Sequence, residues 1–107
     1  MSEVKKNYVR YFLSGNFYTV GNNKTTSVDG ITDASYSGEI IIEERINGKE
    51  VLEIAQYAFQ SRKITKVTIH AKLRSINQNA FRFCTKLEYM NIPATVTFLG
   101  NEALFFW

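Results

Sequence analysis

Cysteine and histidine each occur once in this chain of 107 residues, and both scarcities narrow what it can do. The single cysteine, Cys84, excludes an internal disulfide and leaves no thiol-rich metal site. That suits a reducing compartment. His70, with no nucleophile pattern beside it, reads as a structural or solvent-facing residue. No apolar run approaches the roughly 18 residues that a membrane span needs. The opening Met-Ser-Glu-Val-Lys-Lys-Asn lacks the apolar core of a secretory signal. The expected location is therefore cytoplasmic, or the cell surface if a signal has been removed. Gly21, Gly30 and Gly38 form neither Gly-x-x-x-x-Gly-Lys nor Gly-x-Gly-x-x-Gly, so no phosphate cradle is present. The neighbouring acids Asp29/Asp33 and Glu43/Glu44 have no metal-ligand companions and read as exposed turn residues. No catalytic constellation emerges. The chain is read as a non-enzyme with no cofactor and no metal.

Acids are missing altogether between residues 54 and 87, a segment that carries seven bases: Arg62, Lys63, Lys66, Lys72, Arg74, Arg82 and Lys86. Residues 21–53 hold the reverse, seven acids (Asp29, Asp33, Glu39, Glu43, Glu44, Glu50, Glu53) against Lys24, Arg45 and Lys49. A net charge of +3 thus conceals an acidic first half and a basic second half. Either the halves neutralise each other, or the basic stretch meets an anionic polymer, with Tyr57, Phe83 and Tyr89 for stacking. The bases are dispersed, which favours the first reading, and nucleic acid is not the expected partner.

What the chain does have is 45% hydrophobic residues, enough for one globular domain, and a repeat. Val67, Ile69, Leu73, Ile76, Ala80 and Phe81 recur 23 residues later as Met90, Ile92, Val96, Leu99, Ala103 and Leu104. Ile54, Ala58 and Phe59 precede Ile76, Ala80 and Phe81 by 22. A fixed period in the twenties means one coil per repeat, stacked into a solenoid. Ile40/Val67/Met90, Ile42/Ile69/Ile92, Val51/Leu73/Val96, Ile54/Ile76/Leu99 and Phe59/Phe81/Leu104 should stack as ladders between parallel strands. The alternation sends Glu39/Lys66/Tyr89 and Ile41/Thr68/Asn91 outward.

Ahead of the coils lies a cap. Val4, Tyr8, Tyr11 and Phe12 are spaced as on a helix, with Ser2 as N-cap and Gly15 as the stop. Residues 16–20 and 25–28, flanking a Gly/Asn turn, read as a β-hairpin. Asn23-Lys-Thr25 is also a glycosylation sequon. Asn47-Gly48 marks a tight turn within an insertion in the first coil. The expected architecture is an α+β repeat fold of about two and a half coils of 22–23 residues with parallel strands. A helix-plus-hairpin cap (1–38) precedes repeats (39–107) in a single domain.

Ile92-Pro93-Ala-Thr-Val96-Thr-Phe-Leu99-Gly100-Asn-Glu-Ala103 and Ala80-Phe81-Arg-Phe-Cys84-Thr-Lys-Leu87 resemble the BspA-like (Treponema pallidum-type) leucine-rich repeats. Ala55 and Asn77 stand where that pattern has glycine, and His70 where it has proline. The resemblance implies a curved leucine-rich-repeat solenoid, a buried Cys84 and a binding or adhesive role. The function expected is a protein-protein interaction or assembly module. Adhesion to host or matrix proteins and binding of an anionic polymer are the alternatives.

The last ten residues hold Phe98, Leu99, Leu104, Phe105, Phe106 and Trp107, and the repeat stops mid-coil. A solenoid end needs covering. Either the aromatic tail folds back or a partner covers the coil, most simply a second copy in a homodimer. The expected partner-binding residues are Lys66, Thr68, Tyr89 and Asn91 on the strand face, and Phe105, Phe106 and Trp107 at the end.

Overall fold

The 22- and 23-residue spacing becomes a stack of coils in the computed structural model, which describes residues 3–22 and 27–104. The strands are β1 (Glu3–Lys6), β2 (Val9–Ser14), β3 (Phe17–Val20), β4 (Glu39–Ile42), β5 (Arg45–Ile46), β6 (Lys49–Ile54), β7 (Lys66–Ile69), β8 (Ser75–Ile76), β9 (Tyr89–Met90) and β10 (Phe98–Leu99). One sheet runs β4-β7-β9, and the other runs β1-β2-β3-β6-β8-β10 with β5 paired to β6. Each coil contributes one strand to each sheet: β4 and β6 to the first, β7 and β8 to the second, β9 and β10 to the third.

The pairing between coils is parallel and follows the repeat. Ile40 lies beside Val67 and Val67 beside Met90, while Ile54 lies beside Ile76 and Ile76 beside Leu99. Backbone bonds climb the stack in step: Asn77 N donates to Ile54 O at 3.0 Å, and Gly100 N to Ile76 O at 2.8 Å. Val51, Ile54, Ile76, Ile40, Ile42, Val67 and Ile69 share one buried core, in which the rings of Phe59 and Phe81 stack at 5.2 Å. Such a pair contributes roughly 0.5–1.5 kcal/mol beyond its buried area. The ladders weaken in the third coil. Ile92 lies outside β9 and is exposed, Leu99 is exposed, and Val96 and Leu104 are half-buried.

Two expectations about the cap need correction. The described residues contain no helix, so the α+β class and the N-terminal helix do not stand. Residues 3–14 form an antiparallel hairpin, with Val4 opposite Tyr11 and Lys6 opposite Val9. The reason is local chemistry. Asn7 and Tyr8 both take positive φ, 48° and 74°, the two-residue turn that suits the twist of paired strands. β-branched and aromatic residues at positions 4, 9, 11 and 12 then prefer the pleated surface. The helix-like spacing is coincidental, because Val9 and Tyr11 carry the alternation that becomes buried. The candidate cap Ser2 lies outside the described residues.

The expected hairpin exists with a different partner. β3 pairs antiparallel with β2 across the Gly15-Asn16 turn, and residues 27–28 are in no strand. Residues 23–26, the sequon Asn23 among them, lie outside the described residues. The other edge of β3 pairs in parallel with β6, placing Val20 beside Ile54. β3 thereby supplies the rung ahead of the first coil. The Asn47-Gly48 turn is as expected, both residues at positive φ between Ile46 and Lys49.

Tyr11 closes the near end of the stack. Its ring starts in β2, crosses to β4 and is wholly buried. The hydroxyl donates to Ile41 O at 3.4 Å and accepts from Glu43 N at 3.0 Å, so it satisfies backbone along the first strand of the other sheet. Burial pushes this hydroxyl up to about 12.

Candidate interaction surface

The outward row of β4, β7 and β9 is built as the alternation requires. Lys66 lies beside both Glu39 and Tyr89, its ammonium 4.0 Å from the Glu39 carboxylate and 5.5 Å from the Tyr89 ring centre. Thr68 Oγ1 donates to the same carboxylate at 3.1 Å. Asn91 does something the alternation did not suggest. It lies just past β9, and its side chain completes the ladder: Oδ1 accepts from Ile69 N at 2.7 Å and Nδ2 donates to Ile69 O at 2.9 Å. Its amide is therefore engaged within the chain, while Lys66 and Tyr89 project to solvent. Phe105, Phe106 and Trp107 lie outside the described residues.

The third coil carries most of the exposed apolar surface. Seven large hydrophobic side chains are exposed among the described residues, and four of them, Tyr89, Ile92, Phe98 and Leu99, belong to this coil. The outer edges of β9 and β10 have no strand partner among the described residues. From Tyr89 to Asn101 no residue carries a charge.

The basic segment is largely answered from within. Lys66 meets Glu39, Lys72 meets Glu44 at 3.7 Å, and Arg74 meets Glu53 at 2.9 Å, each joining the second coil to the first. Arg82 faces Glu102 of the third coil at 2.7 Å. Arg62 donates to Val28 O. Exposed pairs of this kind contribute about 0–1 kcal/mol each, so they favour register more than stability.

Cys84 is fully buried, its thiol donates to Phe59 O at 2.9 Å, and burial pushes it up to about 11. A protonated, enclosed thiol is a packing group rather than a nucleophile. His70 is exposed at the end of β7. Asp29, read as an exposed turn acid, is instead buried and accepts from Asn22 N at 3.0 Å. Among the described residues no group of three or more His, Cys, Asp or Glu could hold a metal ion, and no helix is long and apolar enough to cross a membrane.

One feature escaped the sequence reading. Two residues beyond the paired positions Val20, Ile54, Ile76 and Leu99 stand Asn22, Gln56, Gln78 and Asn101, a carboxamide in every rung. Its signal in the sequence is a polar column that runs through the repeat beside the apolar ones. Gln78 Nε2 donates to Gln56 Oε1 at 2.9 Å. A cavity of about 450 Å³ opens here, lined by Gln56, Asn77, Gln78, Phe98, Gly100 and Asn101.

Parallel rungs at a period of 22–23 residues, with turn residues at positive φ in matching places (Tyr57, Asn79 and Glu102; Ser61 and Phe83), describe a repeat family in geometry. The family model of the BspA-type leucine-rich repeat region matches residues 11–106 in six copies. The chain belongs to the BspA-type leucine-rich repeat family. No curated protein and no solved structure matches it. Repeats of the leucine-rich class serve protein-protein interaction in general and are generally non-enzymatic. In this BspA-type chain the match takes in β3 and most of β2, which lie in the same sheet as the coils.

Proposed function

We propose that this chain is a non-catalytic interaction and assembly module whose contact surface is the third coil, and that its first partner is a second copy of itself. The observation that carries the reading is the uncharged stretch from Tyr89 to Asn101, with Tyr89, Ile92, Phe98 and Leu99 exposed beside two strand edges that are unpaired among the described residues. Apolar surface of this kind on a soluble domain marks a contact, and an unpaired strand edge is a template for another strand. A two-fold contact places the same surface against itself. A neutral surface meets its copy without like-charge repulsion, whereas the basic second coil would not. Lys66, Thr68 and Tyr89 border this contact on the strand face, with Asn91 holding the rim in place. Phe105, Phe106 and Trp107 are assigned to it on sequence alone.

Sedimentation at micromolar concentration tests this. The wild type should sediment as a concentration-dependent dimer, and Ile92→Ser/Leu99→Ser should shift it to monomer while Lys63→Ala leaves it unchanged. A wild type that stays monomeric across the range contradicts the proposal. The adhesin reading rests on the family alone and would use the same coil. A native protein confined to the cytosol on fractionation would remove it.

A further inference from the structure

The cavity over the carboxamide column has a chemistry that differs from the rest of the surface. Its lining contains three side-chain amides on successive rungs (Gln56, Gln78, Asn101), a fourth from Asn77, the bare backbone of Gly100, and the ring of Phe98. None of these residues is charged, in a chain where 21% of residues are. Phe98 is exposed, and its rung partner is the small Ser75, which leaves one side of the ring uncrowded by the neighbouring rung. Asn77 is anchored: Nδ2 donates to Ile54 O at 2.8 Å and to Ser75 Oγ at 3.3 Å. Gln78 is held by its bond to Gln56. The side chain of Asn101, the outermost rung, makes no hydrogen bond within the described residues, so the ladder is not closed between Gln78 and Asn101.

A carboxamide presents a donor and an acceptor in one plane. The ligand that answers it must offer both at adjacent positions, carry no charge to be desolvated without a counter-ion, and bring an apolar face for the ring. Phosphates and carboxylates fail on charge. A bare hydrocarbon fails on the amides. A pyranose satisfies all three, because each hydroxyl is both donor and acceptor and one face of the ring is lined by C–H groups. The cavity volume lies within the range that small-molecule sites occupy.

We infer that the groove formed by Gln56, Asn77, Gln78, Asn101 and Phe98 is a binding site for a neutral saccharide, with Gln78 and Asn101 bonding adjacent hydroxyls and Phe98 stacking on the sugar ring. The site is shallow and open, so its affinity is weak for one ring and rises along an oligosaccharide that spans successive rungs. It shares Phe98 with the contact proposed between copies, whereas Gln56, Asn77 and Gln78 belong to the first and second coils and lie outside that contact.

The test is a titration of the isotope-labelled chain, followed through the side-chain amide signals of Gln78 and Asn101. Methyl glucoside, N-acetylglucosamine, cellobiose and chitobiose are the saccharide probes, and adenosine and a neutral tetrapeptide are the comparisons. At least one saccharide should move both signals at millimolar concentration, with its disaccharide binding more tightly. Asn101→Ala, at an exposed position that does not threaten folding, should weaken binding about fivefold, the loss of one neutral hydrogen bond. Phe98→Ala should weaken it further. Saccharides that leave both signals unmoved overturn the inference. So does equal binding by Asn101→Ala, or stronger displacement of these signals by adenosine or the peptide.

Discussion

Tyr11 links two sheets through one hydroxyl, and removing that oxygen leaves Glu43 N–H and Ile41 C=O short of a partner at the capped end. Tyr11→Phe should cost about 1–2 kcal/mol, read by urea unfolding. The same hydroxyl gives a pH signature. Folding holds it protonated up to about 12, whereas an unfolded tyrosine ionises near 10. Between those values the unfolded chain binds fewer protons than the folded one, so stability falls as pH rises. The contribution is complete below pH 10 and lost through pH 12, of order 2–3 kcal/mol across the window. Tyr11→Phe should flatten this part of the profile, and an unchanged slope would remove Tyr11 from the account. Residues differ in how far the sequence discloses them. Cys84 was legible as a packed thiol because its place in the repeat is local. The bridging role of Tyr11 depends on a strand 30 residues away in the chain, which no local pattern encodes.

At the scale of elements, the strands of the stack were legible and the first hairpin was not. Parallel rungs are written twice over, once in each repeat, so period and register reinforce each other. The N-terminal segment occurs once. With Val4, Tyr8, Tyr11 and Phe12 it satisfies a helical spacing and a strand alternation together, and the Asn7-Tyr8 turn decides between them. The surface chemistry was legible in part for a related reason. Lys66 and Tyr89 project outward as alternation demands, whereas Asn91, one residue beyond β9, turns back to serve as a strand. Close approach between rungs sets a further limit at the end of β10. A Cβ on Gly100 would fall 2.7 Å from Asn77 C and Gln78 Cα, and backbone cannot yield as a side-chain tip can. Gly100→Ala should therefore cost about 1–3 kcal/mol by urea unfolding. Of the matching rung positions, Ala55 and Asn77 carry side chains, and a Cβ on Gly21 would meet side-chain atoms first, the Cβ atoms of Ala58 and Ala55 at 3.1 and 3.3 Å, so the clash with backbone belongs to the third coil. A neutral Gly100→Ala would show that this coil is free to shift away.

The whole molecule is asymmetric along its stack. At one end Tyr11 and the three-stranded meander cover the first coil, and ion pairs bind the acidic coil to the basic one. At the other end the strands shorten to two residues, and Ile92, Phe98 and Leu99 stand exposed. In a stacked repeat each coil is stabilised by its neighbours, so local stability should decline toward the third coil, whose outer edges have no strand partner among the described residues. Charge distribution carried this complementarity visibly in the sequence, while the neutrality of residues 89–101 acquires meaning only once they form one edge. The direct measurement is backbone hydrogen exchange at two protein concentrations, one below and one above self-association. Amides of β6 and β7 should be strongly protected at both. Gly100 and the residues of β9 and β10 should exchange fastest when dilute and gain protection when concentrated. Uniform protection along the stack, or a concentration-dependent gain confined to the N-terminal meander, would contradict an assembly surface on the third coil.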